Sequence, residues 1–403
     1  EGIIQTLVDR GLLIESHLTP LSIEGYAAVV RHKYVPFTSY PQEWCAAMLK
    51  DAALTIVNLV IELESRGLTL KDAHPWNLLF DACKPVYVDL TSIVPLEGDT
   101  HWPAYEEFCN FCLYPLTLMA HGHERIARSL LPEYGGVQHR ELARLARGPS
   151  QSPFALRRLV MNGLKPVRSL FRKSGRGVDS RSSFLNQIRK DVESISMPSY
   201  KPGRAGDGGV AVPQAAGLDD SAERQNVLRR ILSELRPDSI LDLGGNGGLY
   251  SRLAASTGSR VVSFDTDPAS VTQLYYEARD KGWPLLPLVM DFMKPTPSVG
   301  YSNHYLIAAT DRLKCEMVLA PALVRRAVFD HSLSFDLIAE GLALFSTRWV
   351  AVEFGPPADR PSGKVQSDRL SWYTLDNFMR ALKKRFRSVS IMQGPRVLLL
   401  CEK

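Results

Sequence analysis

The chain has 403 residues, of which 45% are hydrophobic and 23% are charged, and its formal net charge is +5. At about 100–200 residues per domain, this length predicts two or three globular domains. So small a charge does not indicate a nucleic-acid partner, and the sequence has no apolar run of about 18 residues that would predict a membrane span. The six scattered cysteines are typical of the reducing cytoplasm, where we therefore expect the protein to reside.

One close cysteine pair, Cys109 and Cys112, has the spacing of two metal ligands. Nothing elsewhere in the sequence completes a zinc ligand set, so we expect two buried thiols on a helix and no metal site. The chain begins with Glu1 rather than Met, in sequence typical of the inside of a domain, which is the pattern expected of a piece of a longer polypeptide. The sequence does not indicate an oligomeric state.

Residues 1–145 have the pattern of a mainly helical accessory domain. Apolar residues recur with helical spacing at residues 44–66, and a similar pattern returns at residues 104–121. Between these segments, residues 78–80 and 85–90 predict two short strands joined by a turn. We therefore expect helices with one small strand pair in this region.

Residues 146–218 are predicted to connect two domains. The first part is strongly basic, which favours a solvated helical connector, although a surface for an anionic substrate or a membrane has the same composition. The second part, residues 200–217, is rich in glycine and proline and predicts a loop or a disordered segment. The basic residues are Arg157, Arg158, Lys165, Arg168, Arg172, Lys173, Arg176, Arg181, Arg189 and Lys190.

Residues 219–403 alternate between helical and strand patterns, as in a doubly wound α/β sheet. The last two strands flank Gly394 and Pro395, a turn signal that predicts an antiparallel hairpin. Helices are predicted at residues 222–235, 249–256, 269–281, 335–345 and 375–386, and strands at residues 239–243, 260–264, 286–290, 317–319, 349–354, 388–393 and 396–401.

The most informative run is residues 240–248, Ile-Leu-Asp-Leu-Gly-Gly-Asn-Gly-Gly. A buried strand delivers the Asp242 carboxylate, a turn containing Gly245 and Asn246 follows, and a helix then begins. Gly244 and Gly248 would let the backbone approach a ligand closely, because they carry no side chain. Such a turn does not identify the cofactor alone, since dinucleotide-binding proteins share it.

Two later acids distinguish the cofactors. Asp265 ends the second strand, where a carboxylate can accept hydrogen bonds from both ribose hydroxyls, and Thr266 follows it. Asp291 ends the third strand, beside Phe292, where an acid can accept from an adenine amino group. Together with the turn spacing D-x-G-x-x-x-G, in which Asp242 would orient a methionine amino group, these acids favour S-adenosylmethionine (SAM). NAD or another nucleotide stays the alternative.

Several motifs resemble the class I methyltransferases of the nodulation-protein-like family, which carry a helical region ahead of the SAM domain. The resemblance implies an α/β fold with a Rossmann-like seven-stranded SAM-methyltransferase sheet at residues 219–403, and SAM as the cofactor. It implies a glycan or secondary-metabolite pathway without identifying the acceptor. The motifs are residues 36–44, 49–53, 70–77 and 85–89 in the first half, and residues 242–248, 264–268, 288–291, 352–354 and 373–378 in the second.

The run Asp72-Ala-His-Pro-Trp-Asn77, followed by Val88-Asp89, resembles the catalytic and metal-binding loops of kinase-like phosphotransferases. The resemblance implies that Asp72 would position an acceptor hydroxyl and that Asn77 and Asp89 would hold a metal ion. Nothing before Asp72 provides the glycine-rich loop that covers the phosphates. We therefore expect a relic of a kinase C-lobe that shapes a substrate side or an interface. Active phosphotransfer and a coincidental turn motif stay open.

A methyl acceptor should approach from the carboxyl ends of the fourth and fifth strands. After the fourth strand, the family usually has a run that resembles A-L-I-H-H, whereas this chain reads Ala-Leu-Val-Arg-Arg at residues 322–326. Arginine cannot deprotonate an acceptor but can bind a carboxylate or phosphate, so an anionic acceptor is one interpretation, and an exposed helix face is the other. A base would then be His331 or Glu353. The candidates at this edge are Pro321, Arg325, Arg326, His331, Glu353, Phe354 and Tyr373.

The leading hypothesis is a SAM-dependent methyltransferase that modifies an oxygen or carbon atom of a small-molecule or glycan-precursor acceptor in a biosynthetic pathway. One alternative is a non-catalytic SAM-binding or partner module, since the expected histidines are replaced by arginines. The other alternative is a bifunctional kinase–methyltransferase.

Overall fold

The computed structural model describes residues 2–98, 102–146, 177–197, 218–244, 247–355, 371–392, 394 and 396–403, with the backbone alone for residues 177–180 and 218–222. Most of the predicted connector, with its basic residues up to Arg176 and its glycine-rich run, lies outside these residues. The chain divides into two compact units, residues 1–200 and 201–403.

The first unit contains the helices expected at residues 44–66 and 104–121. Helix α2 is buried along most of its length, and Met48, Ile56 and Leu63 have no exposed surface. This burial explains the helical spacing of its apolar residues. The helices are α1 Gly2–Asp9, α2 Ala46–Glu64, α3 Tyr105–Phe108, α4 Tyr114–Ala120, α5 Glu124–Leu130, α6 His139–Leu145 and α7 Gly177–Ser194, with a π-helical segment Cys109–Leu113 between α3 and α4.

Three short antiparallel strand pairs accompany these helices within the described part of the first unit. One pair is the predicted hairpin, in which Leu78 lies opposite Tyr87. The other two pairs have three residues in each strand, which is too short for a sequence pattern to predict. The pairs are β1 Ser16–Leu18 with β2 Val30–His32, β3 Leu68–Leu70 with β6 Ile93–Pro95, and β4 Leu78–Asp81 with β5 Lys84–Tyr87.

The second unit alternates helices with strands. Its helices are α8 Leu218–Leu235, α9 Leu249–Ser256, α10 Pro268–Lys281, α11 Ala309–Arg312, α12 Leu323–Phe329, α13 Phe335–Phe345 and α14 Leu375–Lys383. Its strands are β7 Ser239–Asp242, β8 Arg260–Asp265, β9 Leu285–Val289, β10 Cys315–Ala320, β11 Ser346–Phe354, β12 Ser388–Met392 and β13 Val397–Glu402. The predicted elements are present within a few residues, whereas α11 and α12 were not predicted because they are too short to show a period.

Within the described residues of the second unit, seven strands form one mixed sheet, so the expected α/β fold with a seven-stranded sheet is confirmed. Its strand order is β12-β13-β11-β10-β7-β8-β9. The five strands from β7 to β11 run parallel, and β13 runs antiparallel to both of its neighbours. The antiparallel hairpin of β12 and β13 agrees with the predicted turn, of which Gly394 is described. The central strands are buried on both faces, and every residue of β9 is buried.

A buried polar network joins the end of β7 to the helix that follows. Asp242 is 1% exposed, and its Oδ1 accepts the backbone amide of Gly244 at 3.0 Å. Its Oδ2 accepts the hydroxyl of Ser251 in α9, and that hydroxyl lies 2.8 Å from the hydroxyl of Ser263 in β8. Burial raises the pKa of Asp242 to about 6, although the bonds from Ser251 and Gly244 oppose this shift.

The turn after β7 requires glycine for two separate reasons. Gly244 has φ +53°, and a Cβ there would lie 1.9 Å from the carbonyl oxygen of Phe264. Gly248 has φ +76° and precedes α9, and a Cβ there would lie 2.9 Å from the Leu274 side chain. The turn therefore combines left-handed backbone with close approach to β8 and α10.

The Gly244→Ala substitution is expected to destabilise the second unit much more than Gly247→Ala. Both positions have positive φ, which costs a side chain about 1–2 kcal/mol. Only Gly244 adds a collision with backbone, because a Cβ at Gly247 meets nothing within 4 Å. We expect a loss of unfolding free energy above about 3 kcal/mol for Gly244→Ala, measured by chemical denaturation. Equal losses in the two variants would contradict this account of the turn.

The unfolding free energy should carry a pH dependence that comes from Asp242. Its pKa is about 6 in the folded protein and about 3.9 in an unfolded chain, so the folded state binds the extra proton between these values. Stability should therefore fall as pH rises through this window, by about 3 kcal/mol at most. Denaturation of Asp242→Asn between pH 4.5 and 7 should show a weaker decline. An exposed control, Asp280→Asn, should follow the wild type, and an unchanged slope in Asp242→Asn would exclude Asp242 as the source.

Candidate functional site

The predicted cofactor acids lie at one edge of the sheet. Because β7, β8 and β9 are neighbouring parallel strands, their carboxyl ends meet at the same edge, with Asp242, Asp265 and Asp291 at or just after those ends. Asp242 is the acid whose carboxylate already holds the glycine turn and the start of α9. Gly245 and Asn246, predicted to complete the turn, lie outside the described residues.

Asp265 is partly buried at the end of β8. Its Oδ1 accepts the backbone amide of Asp267 at 2.9 Å, and Asp267 in turn caps α10 by accepting from Ala269 and Ser270. Burial raises the pKa of Asp265 above its ordinary value, although backbone hydrogen bonds and the charge of Arg326 oppose the shift. Additional hydrogen-bond donors from a ligand would stabilise its carboxylate.

Asp291 and Phe292 follow β9 and differ in their surroundings. Asp291 is part-exposed, and its Oδ1 accepts the backbone amide of Met293 at 3.0 Å. Phe292 is buried, and its ring lies 6.1 Å from that of Phe345. Thr266 is exposed after β8. The structure thus brings an accessible carboxylate and an apolar ring to the same turn.

Arg326 connects the predicted acceptor side to the predicted cofactor side. Its Nη2 lies 3.5 Å from Asp291 Oδ1. Its charge also opposes the rise in the pKa of Asp265 that burial causes. The sequence suggested this arginine as an anion-binding residue for the acceptor. In the structure the guanidinium pairs with one strand-end acid, Asp291, and binding of an anionic acceptor by Arg326 stays a prediction.

Tyr373 is buried and Arg325 is exposed. The Tyr373 hydroxyl donates to the carbonyl oxygen of Gly355 at 3.0 Å, and its ring stacks on Phe354 with a centroid distance of 5.0 Å. Burial raises the pKa of Tyr373 to about 12, and the nearby Arg325 charge opposes the shift. The phenol is therefore neutral at physiological pH and packs into an aromatic cluster, while Arg325 is exposed.

His331 is exposed in the turn after α12. Among the described residues, no hydrogen bond or ion pair joins it to the other predicted site residues. The structure therefore does not bring His331 together with Glu353, the other base proposed from the sequence.

Glu353 lies near the carboxyl end of β11 and is 6% exposed. Its Oε1 accepts Nη1 of Arg396 at 2.9 Å, and its Oε2 lies 3.8 Å from Nη1 of Arg224. Arg396 precedes β13 and Arg224 belongs to α8, so the carboxylate connects three elements. Such pairing satisfies a charge that would be costly to bury alone.

A pocket opens beside this cluster. Counted with its mouth, it holds about 480 Å³ of empty space between α8, α9 and strands β10, β11 and β13. Tyr250 contributes to its wall, and burial raises the pKa of this phenol, with smaller effects from Arg224, Glu353, Asp242 and Arg396. Pro321, a predicted acceptor-side residue, also lines the pocket.

Sequence reasoning missed Arg224, Tyr250 and Arg396. Each lies in a predicted element or beside a predicted turn, but the three are far apart in the chain. A weak signal existed for Arg396, since the predicted antiparallel pairing of the last strand brings its start towards the end of β11. For Arg224 and Tyr250, only the packing of α8 and α9 identifies them.

The kinase-like residues of the first unit also come together. The Ser92 hydroxyl lies between Asp72 Oδ2, at 2.9 Å, and Asp89 Oδ2, and its single proton can be donated to either carboxylate. Asn77 Nδ2 lies 3.5 Å from Asp89 Oδ2 and donates to the Tyr87 hydroxyl at 3.1 Å. Burial opposes ionisation of Asp89, but hydrogen bonds from Ser92 and Thr91 lower its pKa overall.

Other predicted features can be located in the described residues. Cys109 and Cys112 are both buried on the π-helical segment, and burial raises the pKa of Cys112. No group of three His, Cys, Asp or Glu side chains within the described ranges is arranged to hold a metal ion. No helix in that part of the chain is both long and apolar enough to cross a bilayer.

Parts of the chain resemble solved structures. Monomeric WbdD has 17% identity, with a TM-score of 0.32 and coverage of 46% of this chain and 42% of its own. The N-methyltransferase NodS from Bradyrhizobium japonicum WM9 has 13% identity, a TM-score of 0.31 and coverage of 46% and 96%. A methyltransferase from Geobacter sulfurreducens has 15% identity, a TM-score of 0.31 and coverage of 45% and 78%. The chain spans less than half the length of the WbdD structure, and scores this low carry no argument about function.

No protein-family model matches the chain. The chain is similar to the nodulation protein NoeA of Rhizobium meliloti (strain 1021), with 25% identity over 413 residues that cover 97% of this chain and 85% of that protein. The similarity therefore includes both compact units. The resemblance to nodulation-protein-like proteins is confirmed along nearly the whole chain.

Proposed function

We propose that the protein is a SAM-dependent methyltransferase that transfers a methyl group to oxygen or carbon of a small-molecule or glycan-precursor acceptor in a biosynthetic pathway. The observation that carries this proposal is the set of three carboxylates at the ends of β7, β8 and β9 around a glycine turn. The sheet supports it, because an antiparallel strand inserted beside the fifth parallel strand is typical of class I methyltransferases and not of NAD-binding Rossmann domains.

The residues present fit SAM. The glycine turn would receive the methionine end, with Asp242 as the support of that turn. Asp265 would accept hydrogen bonds from the ribose hydroxyls, which would supply the donors that its partly buried carboxylate can use. Asp291 and Phe292 would receive the adenine through one polar and one apolar contact.

When bound, SAM supplies a methyl group on a positively charged sulfur. A nucleophile can bond to this methyl carbon while the bond from the carbon to sulfur breaks. The contribution of the chain is to fix the direction of approach and exclude water, because positioning accounts for much of the rate of such displacements. Glu353 is available to accept a hydrogen bond from an acceptor hydroxyl. Arg325 and Arg326 carry permanent charge and would bind or orient groups without removing a proton.

Removal of the Asp265 carboxylate should abolish cofactor binding. Two hydrogen bonds to a charged group contribute about 1.5–3 kcal/mol each, so Asp265→Ala should weaken S-adenosylhomocysteine (SAH) binding by at least about 100-fold. Isothermal calorimetry on the full chain measures this change. Asp280→Ala, at an exposed position on α10, serves as the control and should bind like the wild type.

Two outcomes of the same experiments would redirect the proposal. If the wild-type protein bound neither SAM nor SAH, cofactor binding itself would be wrong. If it bound SAH but transferred no labelled methyl group from SAM to any component of a small-molecule extract, the non-catalytic SAM-binding module would replace the methyltransferase.

A second candidate function, phosphotransfer by the first unit, is favoured by one observation. The side chains of Asp72 and Asp89 meet at the Ser92 hydroxyl, although 17 positions separate the two acids, and Asn77 lies 3.5 Å from Asp89. Mg²⁺ is commonly held by one or two carboxylates and retains several waters, so these three side chains provide ligands of a suitable type. Asp89 has a lowered pKa and would be ionised for this role.

If phosphotransfer occurs, the Asp89→Asn substitution should lower Mg²⁺-dependent phosphorylation from ATP by at least about 100-fold, since even residues behind metal ligands contribute 10–100-fold. Radiolabelled ATP and the same small-molecule extract provide the assay. The control is Asp81→Asn, at a carboxylate that pairs with Lys33 elsewhere in the unit. Absence of any Mg²⁺-dependent transfer by the wild type would leave the cluster a structural relic.

A further inference from the structure

The pocket beside Glu353 differs in composition from a sugar-binding site. Most of its wall is apolar, while its charged groups lie together at one end. A pyranose ring presents hydroxyls in several directions, and each needs a partner when it is buried. A wall with polar groups at one end leaves most such hydroxyls unpaired. The apolar wall consists of Val227, Leu228, Leu319, Pro321, Ala351 and Leu398.

The polar end is organised around one carboxylate. Glu353 Oε1 accepts from Arg396 at 2.9 Å, whereas Oε2 is 3.8 Å from Arg224, beyond hydrogen-bond distance. A carboxylate oxygen accepts two hydrogen bonds, so Oε2 retains capacity for a donor from a ligand. The guanidinium groups fix the carboxylate in place before any ligand arrives.

Tyr250 adds a second polar group to the same end. Its side chain is buried and lines the same pocket as Glu353 and Arg396. Because burial raises its pKa, the phenol stays protonated and can both donate and accept a hydrogen bond. A hydroxyl on a ligand could therefore donate to Glu353 and accept from Tyr250.

The pocket also has the location that an acceptor requires. Leu319 and Pro321 mark the carboxyl end of β10, and Glu353 lies near that of β11. Tyr250, which lines the pocket, is the second residue of α9 and follows the glycine turn directly. The pocket is thus adjacent to the glycine turn at the edge of the sheet assigned to the cofactor.

On this basis, and resting on the methyltransferase function proposed above, we infer that the acceptor is a small molecule with an apolar body and a single hydroxyl or amine group. The body lies against the wall formed by α8, β10 and β11, and the polar group bonds to Glu353 and Tyr250. A mainly apolar lining with a few polar groups at one end is usual for pockets that bind such molecules. A sugar ring with several buried hydroxyls does not match this lining.

Two matched probes test the inference on the full chain in the presence of saturating SAH. The apolar probe is 4-propylphenol and the sugar probe is methyl α-glucopyranoside, each titrated by ligand-observed NMR. We expect saturable binding of 4-propylphenol and no binding of methyl α-glucopyranoside. Ala351→Leu should fill the pocket and lower the affinity for 4-propylphenol more than tenfold. Tyr250→Phe should lower this affinity by about 2–10-fold through loss of one hydrogen bond. Leu344→Ala, at an exposed apolar position on α13, is the control and should change nothing.

Calorimetric SAH binding separates the possible failures. Variants that retain SAH affinity have a folded second unit, so a loss of probe binding in them reports on the pocket. Saturable binding of the sugar in place of the phenol, or equal phenol binding by the wild type, Ala351→Leu and Tyr250→Phe, would overturn the inference while the methyltransferase proposal stands. Failure of the wild type to bind SAH would instead remove the proposed function.

Discussion

A single buried carboxylate determines the geometry of the candidate cofactor edge. One oxygen of Asp242 accepts from the glycine turn and the other from Ser251 at the start of the next helix. Ser251 also reaches Ser263 in the neighbouring strand, so strand, turn and helix share one network. A shift of the turn would leave a buried polar group unpaired, which is costly away from water. The close approach of Gly244 to the backbone of β8 depends on the same contact.

The charged groups around this edge form two ion-pair systems. Arg326 faces Asp291 and influences Asp265, while Arg224 and Arg396 face Glu353. In the first system an arginine of α12 pairs with the acid that follows β9. In the second system the arginines fix a carboxylate that would otherwise be mobile.

The sequence was sufficient to predict most of the second unit, because its signals are local. Buried strands appear as short apolar runs, and the turn at residues 244–248 is dominated by glycine. Helix α12 was not predicted, since seven residues show less than two full periods. In the first unit, resemblance identified Asp72, Asn77 and Asp89, whereas the Ser92 hydroxyl that connects the two acids has no sequence signature.

The candidate site was harder to predict than the fold because its contacts are not local. Arg326 was interpreted either as a ligand of an anionic acceptor or as part of an exposed helix face, and its pairing with Asp291 depends on how α12 leaves β10. Tyr373 was expected among the reacting groups, but the structure directs its hydroxyl to the Gly355 carbonyl. The sequence identified Glu353 as a candidate residue, but it did not identify the side chains that surround Glu353. Its partners Arg224 and Arg396 come from opposite ends of the second unit, and no pattern in either segment indicates that they meet.

The register of the final strand has a consequence for when this pocket forms during protein synthesis. Leu398 lies opposite Glu353 in the antiparallel pair of β13 and β11, and this register brings Arg396 to the carboxylate. Helices α8 and α9, with Arg224 and Tyr250, leave the ribosome long before β13 does. Until β13 adds to the sheet, Glu353 lacks its hydrogen-bonded partner and the pocket lacks one wall. A slip of one residue would turn every side chain of β13 to the other face, so only a complete and correctly registered chain acquires the pocket.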